Sequence, residues 1–251
     1  MIEIFAELIW AARINLYFAL IALPLGFVLA LGLALALAAR SGLRYYGAAA
    51  YVYFFRGSPL FIQLYFFYFF LRAMGVHRVR VGESPAFDFV LDALFLAPFV
   101  LLLNTAAYTA VILANALKAV PRGDLEAAEA FGFDPLQKFW RITWPSMLRI
   151  AWPAYTNEAV FLFLGTTAVY ASLPLTRRPD SADYRDIFRV AADVEKLTFN
   201  PFAAYLPAMA VFVCLTLMIF FVFGMVNQYL NRHLGEQGQV PRLKFRPNFI
   251  R

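Results

Sequence analysis

The chain has 251 residues, of which 62% are hydrophobic and 15% charged, with 28 Phe, 13 Tyr and a formal net charge of +6. A soluble domain carries roughly 25% charged residues, and at this size its interior is too small to hide so much apolar side chain. A soluble globular fold is excluded, and an outer surface that meets lipid follows.

In chain order, Met1 to Ala12 carries Glu3 and Glu7 in place of a positive region and shows no small-residue cleavage site, so a cleaved signal peptide is not expected. A spanning helix needs about 20 mostly apolar residues at roughly 1.5 Å each. Five stretches approach that length. The first, Asn15 to Ala39, holds Pro24, Gly26 and Gly32, which predict a kink and close helix contacts. Tyr45 to Phe55 is apolar as well, but Arg56-Gly57-Ser58-Pro59 interrupts, so a helix near or in the cytoplasmic interface is expected there. Ser58 suits an N-cap and Pro59 a first helical position for the second span, which ends near Gly75. The third runs from about Phe87 to Leu117 and contains Pro98, which predicts tilt or a kink. The fourth covers Pro153 to Leu173 with Glu158 inside it, and the fifth covers Phe202 to Tyr229. The expected fold class is an all-α membrane protein forming one transmembrane domain over residues 1–251.

Lys and Arg placement sets the orientation. The loop after span one, the loop between spans three and four, and the C-terminal tail at about 231–251 together hold 13 of the 22 basic residues and five acids, a net +8. The opposite side holds 9 basic and 10 acidic residues. The basic side is read as cytoplasmic, with the N-terminus out, the C-terminus in and five spans. These cations are spread over three segments where lipid head groups account for them, so no nucleic acid partner is expected. Cys214 is alone in an apolar run, and no metal-ligand spacing occurs. His77 and His233 lie in loops, and the chain has no catalytic constellation and no Gly-x-x-x-x-Gly-Lys-Ser/Thr phosphate loop. An enzyme, or a chain that binds ATP by itself, is not expected.

The loop at about 121–149 has its own signals. Pro121-Arg122-Gly123-Asp124-Leu125-Glu126-Ala127-Ala128-Glu129-Ala130-Phe131-Gly132 predicts a short helix. Asp124 is its expected cap, Glu126 lies in the first turn, and Gly132 suits the left-handed closing position. Asp134-Pro135 predicts a second start, and Pro145 and Pro153 further breaks. A helix this short is unstable alone in water and must dock on something. Leu125, Ala128 and Phe131 follow helical spacing and form the expected docking face, toward either the chain's own spans or a partner.

Glu126-Ala127-Ala128, Gly132, Ile142 and Pro145 resemble the Glu-Ala-Ala signature of bacterial ABC importer permeases. Phe54-Phe55-Arg56-Gly57-Ser58-Pro59-Leu60, Asn104-Thr105-Ala106-Ala107-Tyr108 and Pro153-Ala154-Tyr155-Thr156-Asn157-Glu158 resemble segments of the polar amino acid subfamily, most of all the membrane subunits of histidine/lysine/arginine/ornithine and opine importers. The resemblance covers roughly residues 15–234. It implies the type I importer permease arrangement in the bacterial inner membrane. It makes Asp124, Leu125, Glu126, Ala127, Ala128, Phe131 and Gly132 the ATPase-coupling residues. The implied partners are an ATP-binding cassette ATPase dimer carrying ATP and Mg, a second permease subunit (a related chain rather than an identical one) and a periplasmic substrate-binding protein. Two features depart from the family. Val111 and Ala114 stand where the subfamily carries a Glu and an Arg, so acid and base are absent together and no buried charge is left unpaired. The charged stretch from Pro174 to Asp183 is longer than usual and suits contact with a partner protein.

An ionisable residue within a span is costly and commonly faces a pathway, so Glu158 is the leading substrate-binding candidate, holding an α-amino or cationic group. A structural hydrogen bond between helices is the other reading, favoured by its place near the start of the expected span. In the resembled family the residue seven positions later also contributes, and it is often acidic in importers of basic amino acids; here it is Gly165, which argues against a cationic side chain. Asn157, Asn104, Tyr108, Thr166 and Thr167 are the remaining polar candidates, each equally suited to helix–helix hydrogen bonding. A different class, an ion-coupled carrier or channel using Glu158, would require an inverted repeat or a selectivity filter, and neither is visible.

Overall fold

The computed structural model describes residues 2–39, 41–76, 80–81, 84–85, 88–173 and 185–232. These are almost wholly helical. The helices are α1 (Ile2–Ala38), α2 (Leu43–Gly57), α3 (Leu60–Ala73), α4 (Ala93–Lys118), α5 (Arg122–Ala130), α6 (Pro135–Lys138), α7 (Trp144–Gly165), α8 (Thr167–Ser172), α9 (Ile187–Thr198) and α10 (Pro201–Asn231). A π-helical turn, Phe139–Thr143, joins α6 to α7, and a 3-10 turn, Asp88–Leu91, precedes α4. Arg80–Val81 pairs antiparallel with Ser84–Pro85. The expectations for Pro174 to Asp183, His77, His233 and the tail beyond Arg232 lie outside the described residues.

Length and apolarity qualify α1, α4 and α10 as membrane-crossing helices, and a fourth crossing arises if α2 and α3, bent by 107°, count as one. The fourth expected span starts earlier than Pro153. α7 runs unbroken from Trp144, with Pro145 in its first turn and Pro153 inside it. α7 continues straight from the π-helical turn, with the Trp144 amide still bonded to the Phe139 carbonyl; Pro145 and Pro153, which have no N–H, each leave one bond that the helix does without. The longer start, with Arg149, Asn157 and Glu158 on the same helix, leaves α7 outside the apolar class although it has 22 residues. It also moves Glu158 past the middle of the helix, not near its start. The one α-helix missed altogether is α9, whose Ile187, Val190, Ala191 and Val194 repeat at helical spacing and are buried.

The core is centred on α4. In its most apolar window 67% of residues are buried, against 6% for α10, so α4 is the axis and α10 a peripheral helix with a lipid-type surface. α4 packs along α1 through small residues. Ala30 and Ala34 of α1 meet Ala106, Ala107 and Ala110 in one cluster, closed by Val52, Phe55 and Met147. Small side chains let two backbones approach, which is how dispersion forces hold helices together in lipid. Gly26 is the tightest point: a Cβ there would stand 2.5 Å from Thr105 Cγ2 and 3.2 Å from the Leu102 carbonyl oxygen. Gly32, expected to make a second such contact, is exposed with nothing near its absent side chain. A second cluster joins Phe18 and Ala22 to Leu64, Tyr68, Leu96, Val100 and Leu162. A third packs α9 against Leu8, Ala11 and Ala12 of α1 and against Ala208 and Val211 of α10.

Candidate functional site

Polar side chains within apolar helices need partners, because nothing around them competes for their hydrogen bonds. Most such residues on α1, α3, α4 and α7 can be followed to a partner; the buried Thr109 hydroxyl of α4 finds none among the described residues.

At the α2–α3 corner, Ser58 is not the expected side-chain cap. Its hydroxyl donates back to the Phe54 carbonyl at 2.7 Å and accepts from Gln63 Nε2 at 2.9 Å. Gln63 is buried and was not singled out in the sequence. Its amide donates to the carbonyls of Phe55 at 2.8 Å and Ser58 at 2.9 Å, and its Oε1 accepts Asn104 Nδ2 at 3.0 Å. One side chain thus satisfies carbonyls freed where α2 ends and clamps the corner to α4. A lone Gln in the run Leu60-Phe61-Ile62-Gln63-Leu64-Tyr65-Phe66-Phe67 was the signal for it.

Next to that corner α4 and α7 enclose an open cleft of about 490 Å³, floored by Leu60. Asn104, Tyr108, Asn157 and Glu158 line it together with Ile112, Ala154, Phe161 and Leu162. Four of the six polar candidates therefore converge. Glu158 is 8% exposed, and its Oε1 accepts a hydrogen bond from Thr105 Oγ1 at 2.9 Å. No other hydrogen bond reaches this carboxylate among the described residues. Tyr108 lies under the Arg56 guanidinium, 5.1 Å from its ring centre, at the rim. Asn157 and Phe161 are exposed, so the cleft opens outward from this chain. Gly165 is not in the lining, but a Cβ there would stand 3.0 Å from Leu60 Cδ2 and press on the cleft floor. Val111 and Ala114 pack into the apolar cluster around α4.

The other two, Thr166 and Thr167, lie elsewhere. Thr166 is fully buried at the α7–α8 break, donates to the Phe163 carbonyl at 2.6 Å and accepts Asn15 Nδ2 at 2.8 Å. Asn15 Oδ1 in turn accepts the Ile187 amide of α9 at 3.1 Å. Thr167, the first residue of α8, donates back across the break to the Leu164 carbonyl of α7 at 2.8 Å. These threonines serve the helix break, not the cleft.

Beyond α4, α5 begins at Arg122 behind Pro121. Asp124 sits in the first turn and does not cap it. Pro121 supplies the entry angle, and the two residues after it are already helical, which leaves Asp124 inside. Gly132 does adopt the left-handed conformation (φ 76°), and the Gly132 and Phe133 amides close the turn on Glu129 and Ala128 at 2.9 and 3.0 Å. Asp134 caps α6 through the Gln137 amide at 2.8 Å. The expected docking face divides. Ala128 is buried and Leu125 packs on the cluster around α4, while Phe131 is 82% exposed. Asp124, Glu126, Ala127 and Gly132 are exposed with it. Lys138 pairs with Glu129 and ties α6 to α5. Among the described residues no group of His, Cys, Asp and Glu could hold a metal.

The family described as binding-protein-dependent transport system inner membrane component matches residues 22–236. The chain is 30% identical over 247 residues to the histidine/lysine/arginine/ornithine transport system permease protein HisM of Escherichia coli, covering 93% of this chain and 98% of that one. It is 28% identical to the nopaline transport system permease protein NocM of Agrobacterium fabrum, covering 93% and 91%. It is 36% identical over 165 residues to the octopine transport system permease protein OccM of Rhizobium radiobacter, 66% of each chain. In fold it resembles an amino acid ABC transporter crystallised with histidines (TM-score 0.67, 21% identity, 90% and 94% covered). The MetNI methionine ABC transporter in an inward-facing form is similar to the same degree (TM-score 0.67, 20% identity, 89% and 95% covered).

Proposed function

The chain belongs to the family of binding-protein-dependent transport system inner membrane components, and from that premise we propose that it is the permease subunit of an ATP-driven importer of a polar amino acid or opine in the bacterial inner membrane. It crosses the membrane five times, N-terminus out and C-terminus in, with α7 as the fourth span and the α2–α3 pair as the second. A periplasmic binding protein delivers the substrate. ATP and Mg are held by a separate ATPase dimer.

The observation that carries this reading is the divided surface of α5. Leu125 anchors it to the cluster around α4 and Ala128 is buried beside it, while Glu126, Ala127, Phe131 and Gly132 are left bare on a helix too short to stand alone. That is the form of a lever: fixed to the spans on one side and offered to a partner on the other. The ATPase dimer takes the bare side. The relatives' names support the substrate class, and the cleft supports the place. Glu158 receives a substrate ammonium group, Asn104, Tyr108 and Asn157 contribute hydrogen bonds, and Thr166 stays in the helix break. A second membrane subunit, a related chain, closes the outward side of the cleft. ATP-driven closure displaces α5, and through Leu125 the core around α4, so that the cleft exchanges access between the two sides.

The test is reconstitution of the full chain with its ATPase, partner permease and binding protein in proteoliposomes. Glu126→Ala and Gly132→Val should each cut binding-protein-stimulated ATP hydrolysis by at least about fivefold, the scale of ordinary coupling energies. Wild-type stimulation in both variants refutes the lever.

A further inference from the structure

Glu158 is held at the cleft by one hydrogen bond, from Thr105, and Thr105 is held in turn by a residue on a third helix. Three facts meet there. Thr105 is buried, with 1% of its surface exposed. Its hydroxyl points across to α7 and reaches Glu158 Oε1 at 2.9 Å. Its methyl, Cγ2, occupies the space where a side chain on Gly26 would begin, 2.5 Å from an ideal Cβ, a separation that real Cβ atoms do not show. The α1 backbone on one side and α7 on the other therefore fix both arms of the branched side chain. A β-branched residue has few rotamers to choose from, so filling the seat of the methyl must turn the hydroxyl or push α1 from α4.

We infer that Gly26 is a positioning residue for Glu158: the absence of a side chain at residue 26 seats the Thr105 methyl, and only with that methyl seated does the Thr105 hydroxyl hold the Glu158 carboxylate at the cleft. The consequence for transport rests on the role of Glu158 given above; the geometry does not. Gly26 touches neither the cleft nor the carboxylate. It acts through Thr105, and nothing in its own surroundings on α1 marks it as part of the site.

The experiment separates the two layers. In the full chain assembled with its partner subunits, Glu158 is labelled with dicyclohexylcarbodiimide, which attacks protonated carboxyls in apolar surroundings, and the label is mapped by mass spectrometry with Glu158→Gln as blank. An acid deprived of its donor holds a proton more readily, so Thr105→Val, which keeps the shape and removes the hydroxyl, should raise the labelling rate about threefold, the scale of one lost hydrogen bond. Gly26→Ala should do the same, and Gly26→Ala combined with Thr105→Ser, which deletes the clashing methyl and keeps the hydroxyl, should return the rate toward wild type. Gly32→Ala, the same change on the exposed side of the same helix, should leave it unchanged. Uptake of radiolabelled L-arginine and L-glutamine is followed in parallel. Loss of apparent affinity in Gly26→Ala, restored in the double variant, is the expected result. Wild-type labelling in both Thr105→Val and Gly26→Ala overturns the inference. Labelling that follows the expected pattern while Glu158→Gln takes up both amino acids normally leaves the positioning intact and overturns only the substrate role of Glu158.

Discussion

Two buried polar networks tie this bundle together, and they differ in one respect. The first joins Asn15, Thr166 and the Ile187 amide, linking α1, the α7–α8 break and α9. It is closed: Asn15 and Thr166 are fully buried, and each is both donor and acceptor inside the protein. The second joins Thr105 to Glu158 beside the Gln63–Asn104 clamp, and it borders a cleft of about 490 Å³ with a carboxylate that accepts one hydrogen bond among the described residues. A fully buried network gives a ligand no access and can only hold helices. An open one keeps acceptor capacity that a substrate can fill. Residue type does not tell them apart, since Asn, Thr and an amide partner occur in both; only the neighbourhood does.

The sharpest way to break the comparison is at Asn15. Asn15→Leu deprives the Ile187 amide and Thr166 of partners and should lower the stability of the detergent-solubilised protein by about 2 kcal/mol, within the range for two buried hydrogen bonds. Thermal unfolding reads it, and a midpoint equal to wild type would show that the closed network carries no weight. Gln63→Leu should cost about 1 to 2 kcal/mol by the same measure, because the Ser58 carbonyl loses its partner and the Phe55 carbonyl and Asn104 amide keep only their long contact with each other at 3.4 Å. If Gln63→Leu instead spared stability and removed uptake, the clamp would belong to the binding surface. Glu158→Gln is the opposite case: uptake should fall about tenfold, equal to 1.4 kcal/mol of lost binding, with assembly and the thermal midpoint unchanged. A thermal loss without an uptake loss would move Glu158 into the structural class.

The smallest effect is expected at Asp186, the cap of α9, whose Oδ1 accepts the Arg189 amide at 2.8 Å while Oδ2 finds no partner among the described residues. Burial pushes its carboxyl up to about 6, against which the Arg189 amide and charge act in part. A raised carboxyl stabilises the fold when protonated. The contribution is present below about pH 4, where the unfolded chain is also protonated, and is lost as pH rises through about 6. The thermal midpoint should therefore fall by a few degrees between those values, and Asp186→Asn should flatten that slope. An unchanged slope would place the titration elsewhere.

Much of the molecule was legible in one dimension because its causes are local. Apolar length located α1, α4 and α10, Asp134-Pro135 located the start of α6, and Gly132 the end of α5. The charge and spacing of Glu126 to Gly132 marked a short helix in need of support before any contact was known. Four of the six polar candidates line one cleft, because a polar residue in an apolar run has few reasons to be there. The misplacements have two causes. Pro153 read as a break and Asp124 as a cap failed locally, because the helix runs through Pro153 and Pro121 already sets the entry of α5. Thr166, read as a cleft residue, and Gln63, passed over, depend on what stands opposite them.

By itself the sequence determined the solvent class of the protein, the helical periods and the residues able to carry charge into an apolar bundle, since these follow from side-chain transfer free energies and backbone conformation. Only the tertiary structure decided which polar groups face each other, which side of α5 is bare, and that a glycine on α1 seats the threonine that holds Glu158. Those outcomes depend on distances between helices far apart in the chain, set by how closely side chains pack, and such a distance has no signature in the order of residues.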